Sequence, residues 1–224
     1  MSLPEYERIA CATRMPPAQA ALNIEVIEEG AASGEVAALY DHFRAHFGRP
    51  DVPGILKCFA THPPLLRHMM DLSQHLLFSE GALGRKHKEM IAAYVSSQNS
   101  CPYCADSHGF FLRVHGGTAE ALDALQAGDL GSPELSAAEQ ALLNFARKVN
   151  LNSHQIDRED VKRLLQAGWS ELQIAEAIHV TSLFATFNRV ANAFGLASQE
   201  LLALYPGEPA AHSAESAFAE RNNS

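Results

Sequence analysis

The chain of 224 residues lacks several features that mark particular classes of protein. No apolar run approaches the length of a membrane-spanning helix, and the N-terminal sequence MSLPEYERIACATRMPPAQ has no apolar segment typical of a secretory signal. Basic residues are scarce, since 17 Lys and Arg stand against 26 Asp and Glu, and the net charge is −9. This balance argues against nucleic acids and anionic membranes as partners. We therefore predict a cytoplasmic protein, in which thiols are kept reduced.

No convincing alternating pattern typical of β-strands occurs either, although residues 22–27 (LNIEVI) fit a short extended segment. Helical periodicity and capping signals instead run through most of the chain, and they predict an all-α fold. We expect one helical domain over residues 35–205, an N-terminal arm over 1–34 and a disordered tail over 206–224. The predicted helices cover 35–47, 63 to about 80, 84–98, 101–115, a short helix after Thr118, 136–149, 157 to 168, and 170–194.

Cysteine is rare, but two of the four cysteines stand in a single CxxC motif, Cys101-Pro102-Tyr103-Cys104. If a helix begins near Cys101, the two thiols lie roughly 5–6 Å apart on one face, within reach of a disulfide. His108 follows Cys104 by four positions, which places its imidazole over the second sulfur. Glu89 precedes Cys101 by twelve positions. This spacing predicts a thiol redox centre with its own base.

The residue types suit that chemistry, because only a thiolate attacks a peroxide or a disulfide. The positive end of a helix favours the thiolate, and Pro102 suits the first turn. His108 can take a proton from Cys104, and Glu89 can orient His108 if the turn around residues 97–100 makes the two helices antiparallel. We expect neither His108 nor Glu89 to be a core residue. Three alternatives to a redox centre remain for the CxxC motif: a structural disulfide, a zinc site without its fourth ligand, and accidental spacing.

The pattern Glu89…Cys101-x-Tyr103-Cys104-x-x-x-His108 resembles the alkylhydroperoxidase D-like branch of the carboxymuconolactone decarboxylase family. The segment DVPGILKCFATHPPLL ahead of it is also similar to that family, and the similarity covers roughly residues 35–195. The resemblance implies an all-α fold assembled as trimers or hexamers, and a peroxidase activity through a cycling disulfide. The expected partners are a hydroperoxide substrate and a dithiol reductant, and no cofactor or metal is predicted.

Carried over residue by residue, the resemblance implies that Cys104 forms the sulfenic acid. It also implies that Cys101 donates a proton and then resolves the sulfenic acid by forming the disulfide. His108 and Glu89 complete the proton relay. Better-studied members carry His between the cysteines, whereas this chain has Tyr103, which leaves only a possible supporting role for that residue. A non-enzymatic redox sensor or a metal-responsive oligomer is the alternative function. Decarboxylation is less favoured, since true lactone decarboxylases of the family lack the CxxC.

Three further observations lead to expectations. Asn188 and Arg189 interrupt an apolar helix, and a buried polar pair needs partners, either in a neighbouring element or across subunits. Cys11 and Cys58 have no partner at redox spacing, and His179 is expected to be a hydrogen-bonded core residue. The hydrophobic content of 47%, arranged in amphipathic helices, favours a homo-oligomer.

Overall fold

A computed structural model of the protein describes residues 22–205, and the predicted all-α class is confirmed over that range. Residues 1–21 of the expected arm and the predicted disordered tail, 206–224, lie outside the described residues. No β-strand occurs between residues 22 and 205. The α-helices of this range are α1 Gly34–Phe47, α2 Gly54–Lys57, α3 Pro63–Leu76, α4 Arg85–Gln98, α5 Pro102–Val114, α6 Ala119–Ala127, α7 Ala137–Asn152, α8 Arg158–Gln166 and α9 Glu171–Phe194. Three short 3₁₀ helices cover Glu29–Ala31, Ser153–Gln155 and Leu201–Leu204.

Helix boundaries follow the capping residues of the sequence. Ser136 begins α7 with a capping box, in which its side chain accepts from the backbone N–H of Glu139 and the Glu139 carboxylate accepts from the Ser136 N–H. Asp157 and Ser170 cap α8 and α9 in the same way. At the other end, α1 stops at Gly48, whose φ of 64° is easily adopted only by glycine.

The end of α3 differs from its predicted position. The periodicity predicts a helix to about Glu80, whereas α3 ends at Leu76. The buried Lys88 of α4, only 1% exposed, donates from Nζ to the carbonyl of Leu76 at 2.8 Å and to that of Ser79 at 3.1 Å. These bonds satisfy carbonyls that a longer helix would use internally, so the chain turns away at this point.

The long helix α9 is the centre of the bundle. It packs against α2, α3, α4, α5, α7 and α8. Its apolar residues include Ile174, Val180 and Phe184, all buried. The expectation that His179 is a core residue is wrong, because the Val180 side of the helix faces inward and His179 is exposed.

Two hydrophobic cores lie along α9. The first is formed mainly by α4, α6, α7, α8 and the N-terminal half of α9. The second is formed by α1, α2, α3 and the C-terminal half of α9, and it includes Cys101, Tyr103 and Cys104. The CxxC motif is therefore part of a packed core. Among residues 22–205, no helix is both long and apolar enough to cross a membrane.

The segment 22–27, for which the sequence fits a short extended segment, makes no strand pairing and bends at residues 23 and 24. The backbone N–H of Asn23 donates to the carbonyl of Phe194 at 2.9 Å, and its side chain donates to the carbonyl of Ala193. This part of the chain thereby satisfies carbonyl groups at the C-terminal end of α9.

Candidate functional site: a buried dithiol beside a glutamate–histidine pair

The CxxC motif lies at the tip of an antiparallel hairpin made by α4 and α5. A tight turn joins them, in which Ser100 adopts the left-handed conformation with φ of 50°. The backbone N–H of Cys101 donates back to the carbonyl of Ser96 at 2.9 Å, which closes the turn. Cys101 is the N-cap residue of α5, and Pro102 is its first residue, as the sequence predicts. The unpaired N–H groups of the first turn therefore point toward the first thiol.

Both thiols are free and buried, Cys101 at 1% and Cys104 at 3% exposure. The Cys104 thiol donates a hydrogen bond to Cys101, and this bond lowers the pKa of Cys101 to about 7 against the effect of burial. The backbone N–H groups of Cys104 and Tyr103 and the Asn188 amide act in the same direction. The pKa of Cys104 is raised well above its usual value by its bond to Cys101 and by burial. Ionisation of Cys101 is thus favoured, and ionisation of Cys104 is disfavoured, while both are in the thiol state.

Glu89 and His108 face each other across the hairpin. Nδ1 of His108 lies 2.6 Å from Oε2 of Glu89, and Nε of Arg85 donates to the other carboxylate oxygen at 2.6 Å. Burial raises the pKa of Glu89, but the charges and hydrogen bonds of Arg85 and His108 outweigh it and lower the pKa to about 2. An ionised carboxylate accepts hydrogen bonds only, so Nδ1 of His108 carries a proton and donates it to Glu89, and Nε2 is the ring nitrogen that can exchange a proton with other groups.

The expectation that these two residues lie outside the core is wrong. Glu89 has no exposed side-chain area, and the side chain of His108 is 12% exposed. The His108 ring packs edge-on against Phe184, with centroids 4.5 Å apart. The carboxylate tolerates this position because Arg85 neutralises it. Arg85, four residues before Glu89, is a member of the site that our sequence reasoning missed, although the i, i+4 spacing of opposite charges is a recognisable signal.

Cys104 and His108 both line a small cavity of about 100 Å³. Its wall is mainly apolar and includes Phe43, Phe47, Phe78, Phe111 and Phe187. Cys101 does not line it. A molecule in the cavity would therefore meet the second thiol and the imidazole, while the first thiol lies behind them.

Tyr103 also lines the cavity. Its hydroxyl oxygen accepts a hydrogen bond from the backbone N–H of Ile55 at 3.3 Å. Burial raises the pKa of Tyr103 above its ordinary value, so this phenol stays protonated at neutral pH. Its visible contacts anchor α2 to α5.

The hairpin turn is held by an amide network that the sequence indicated only through Asn188. The Asn188 side chain, fully buried, donates to Oγ of Ser96 at 2.9 Å and accepts from Nδ2 of Asn99 at 3.0 Å. Asn99 also exchanges hydrogen bonds with Asn150 of α7. Thus Asn188 finds its partners in a neighbouring element of the same chain, whereas Arg189 is exposed.

Asp106, a second residue that the sequence did not single out, fixes one wall of the cavity. Its carboxylate accepts from the backbone N–H groups of Leu201 at 2.8 Å and Leu202 at 3.0 Å. These contacts seat the last 3₁₀ helix against α5, and Leu201 lines the cavity.

The remaining cysteines are separate from this pair in sequence. Cys58 is buried, and burial raises its pKa to about 12, so it is a poor nucleophile at neutral pH. Cys11 lies outside the described residues. Within residues 22–205 no group of three His, Cys, Asp or Glu side chains has a metal-binding arrangement.

These observations define a class: an all-α protein whose buried dithiol caps a helix and adjoins a histidine oriented by a buried carboxylate. Residues 63–148 match the model of the carboxymuconolactone decarboxylase family. Among solved structures, this chain is similar to the alkylhydroperoxidase AhpD core of a peroxidase-related protein from Ralstonia eutropha. The two chains are 24% identical with a TM-score of 0.75, and the match covers 86% of this chain and 100% of the other. A peroxidase-related protein from Silicibacter is 28% identical with a TM-score of 0.66, covering 82% and 93%. The predicted alkylhydroperoxidase D-like fold is confirmed.

Curated relatives match parts of the chain. An alkyl hydroperoxide reductase of Mycobacterium tuberculosis is 33% identical over 122 residues, which are 52% of this chain and 34% of that protein. Sestrin-1 of Xenopus laevis is 24% identical over 171 residues, 75% of this chain and 33% of its own length. This chain thus spans about a third of either relative. The debrominase Bmp8 also shares the fold, with 17% identity, a TM-score of 0.65, and coverage of 81% and 95%, so the fold by itself does not specify the reaction.

Proposed function

We propose that the protein is a thiol-dependent peroxidase that reduces organic hydroperoxides or hydrogen peroxide through a dithiol–disulfide cycle of Cys101 and Cys104. The observation that carries this proposal is the 2.6 Å contact between His108 and Glu89, together with the position of His108 and Cys104 in the wall of one cavity. A structural disulfide needs no base, whereas a reacting thiol does. The cytoplasm is the proposed compartment, since a reducing environment returns the disulfide to the dithiol.

In the first step, Cys104 gives its proton to Nε2 of His108 and its thiolate attacks the terminal oxygen of the hydroperoxide. The O–O bond breaks, the sulfur is oxidised to the sulfenic acid, and the leaving alkoxide takes the proton from His108 to become the alcohol. Cys104 is the attacking residue in this proposal because it lines the cavity, whereas Cys101 does not.

In the second step, the Cys101 thiolate attacks the sulfur of the sulfenic acid. The S–O bond breaks, the disulfide forms, and hydroxide leaves as water after taking up a proton from solvent. The backbone N–H groups of Tyr103 and Cys104 and the Asn188 amide favour the thiolate of Cys101, so the sulfenic acid is captured before further oxidation. An external dithiol then reduces the disulfide by exchange and restores both thiols.

Peroxide consumption with an excess of dithiothreitol tests this proposal. We expect many equivalents of peroxide to be consumed by the wild-type protein and by Cys58→Ser, the matched control. Cys104→Ser should be inactive, and Cys101→Ser should accumulate a sulfenic acid that dimedone traps. His108→Ala should slow peroxide reduction by roughly 10²- to 10⁴-fold. Wild-type rates in His108→Ala across neutral pH would contradict the assigned base.

The alternative functions predict different outcomes of the same assay. A redox sensor consumes one equivalent of peroxide and then remains oxidised without further turnover. A metal-responsive protein binds zinc through the two thiols, and zinc binding without turnover would favour it. Decarboxylation is disfavoured because the dithiol has no part in it.

We also propose that the chain assembles as a homo-oligomer, either a trimer or a hexamer. Several large apolar side chains are exposed, among them Leu172 at 73%, Leu72 at 44% and Leu65 at 42%. Exposed apolar groups of this kind are commonly buried in symmetric contacts.

A further inference from the structure

Arg49 introduces a cation into the cavity that Cys104 lines. Its side chain is only 9% exposed, and it lines the cavity together with Cys104 and His108. The remaining wall is mainly aromatic and aliphatic. A guanidinium remains charged under all physiological conditions, so it favours an anionic ligand in an otherwise apolar site.

The hydrogen bonds of Arg49 are incomplete. Nη2 donates to Oδ2 of Asp51 at 3.2 Å, whereas Nε is buried without a hydrogen-bond partner in the protein. A buried N–H without a partner is costly and therefore calls for a ligand. The planar guanidinium edge is suited to a carboxylate, which accepts two parallel hydrogen bonds.

Asp51 is poised to be displaced by such a ligand. Its side chain is 45% exposed, so it can be solvated by water when another carboxylate replaces it. The chain as a whole has a net charge of −9, which repels anions. Retention of a carboxylate in the cavity therefore depends on this local cation.

We infer that Arg49 binds the carboxylate of the substrate, and that the preferred substrate is a compact aliphatic hydroperoxide carrying a carboxylate. The volume of the cavity, about 100 Å³, favours a compact chain over a long one. This inference rests on the proposed peroxidase function for the reaction, but its binding step is independent of turnover.

The kinetic test compares tert-butyl hydroperoxide with 3-hydroperoxy-3-methylbutanoate, which adds a carboxylate to the same skeleton. We expect kcat/KM to favour the carboxylated peroxide, and Arg49→Gln to lower this preference roughly 10- to 100-fold. Arg67→Gln is the matched control, because Arg67 forms an exposed pair with Glu35 and its loss should not change the preference. An equal loss toward both peroxides in Arg49→Gln would place Arg49 in the reaction itself and overturn the inference.

The binding test uses 3,3-dimethylbutanoate, an unreactive analogue, and neutral 3,3-dimethylbutan-1-ol, with titration calorimetry on the reduced protein. We expect the carboxylate to bind more tightly than the alcohol, Arg49→Gln to abolish the difference, and Asp51→Asn to increase it by removing the competing carboxylate. Equal binding of the two analogues by the wild-type protein would overturn the inference even if peroxide turnover is found. Preferential carboxylate binding without peroxide turnover would support Arg49 as the anion site and refute only the proposed peroxidase activity. If Arg49→Gln does not fold, Asp51→Asn decides, since weaker or unchanged carboxylate binding in that variant contradicts the inference.

Discussion

Replacement of Glu89 by Gln tests the centre of the site through stability and activity together. The side chain is fully buried between Arg85 and His108. The lowering of its pKa from 4.5 to about 2 corresponds to about 3 kcal/mol of stabilisation of the ionised form. Glutamine keeps the shape but removes the charge, so it leaves the buried Arg85 without its counter-ion. We therefore expect Glu89→Gln to lower the free energy of unfolding at pH 7 by about 3 kcal/mol.

The pH dependence of this loss follows from the direction of the shift. Because the pKa of Glu89 is lower in the folded state, its stabilisation is complete above the unfolded pKa near 4.5 and disappears as the pH falls toward 2. The stability difference between wild type and Glu89→Gln should therefore narrow between pH 5 and pH 3. Urea denaturation at pH 7, 5, 4 and 3 measures it.

A surface carboxylate provides the control. Glu35 pairs with Arg67, and both side chains are about half exposed. Glu35→Gln should change the free energy of unfolding by less than about 1 kcal/mol. A constant stability difference between wild type and Glu89→Gln from pH 7 to pH 3 would refute the assignment of an ionised, charge-stabilised Glu89.

The same substitution changes the tautomer of His108. The amide of the introduced glutamine would present an N–H donor to Nδ1 of His108, which moves the ring proton to Nε2 and removes the base. We expect peroxide reduction to fall roughly 10- to 100-fold, less than in His108→Ala. A fully active Glu89→Gln protein that remains folded would contradict the role of Glu89 in orienting the imidazole.

Three further outcomes are expected. Mild peroxide treatment should give one reversible disulfide between Cys101 and Cys104 and leave Cys11 and Cys58 reduced. Thiol counting by mass spectrometry measures this result. The same mass shift in the Cys101→Ser/Cys104→Ser variant would contradict it. Asn188→Leu should raise the pKa of Cys101 above about 7, because the amide hydrogen bond to its thiolate is lost. The pH midpoint of alkylation by iodoacetamide measures this pKa. An unchanged midpoint would contradict the role of the Asn188 amide in lowering the pKa of Cys101. Light scattering should find a trimer or a hexamer, and a stable, fully active monomer at micromolar concentration would disprove the proposed assembly.

The helices and their ends were predictable because their signals are local. Capping boxes at Ser136 and Ser170 and the glycine at position 48 act within one turn of the chain. The spacing of Glu89, Cys101, Cys104 and His108 was equally readable, since a hairpin of two helices brings such positions together. The end of α3 could not be predicted from local signals, because it depends on a hydrogen bond from Lys88, twelve residues beyond that end.

Burial, charge compensation and the cavity depend on contacts between residues that are distant in the chain. No local pattern indicates that Asn99, Asn150 and Asn188, from three different elements, hold the turn before the thiols. Nor does spacing within one helix indicate that the pKa of Cys101 is lowered and that of Cys104 raised, since these shifts depend on the contact between the two thiols, on burial and on the amide of α9. The position of Arg49 beside Cys104 likewise arises from the packing of the loop after α1 against α5. Helix formation is decided over a few residues, whereas pKa values and substrate contacts are set by whatever side chains the folded chain brings within a few ångströms.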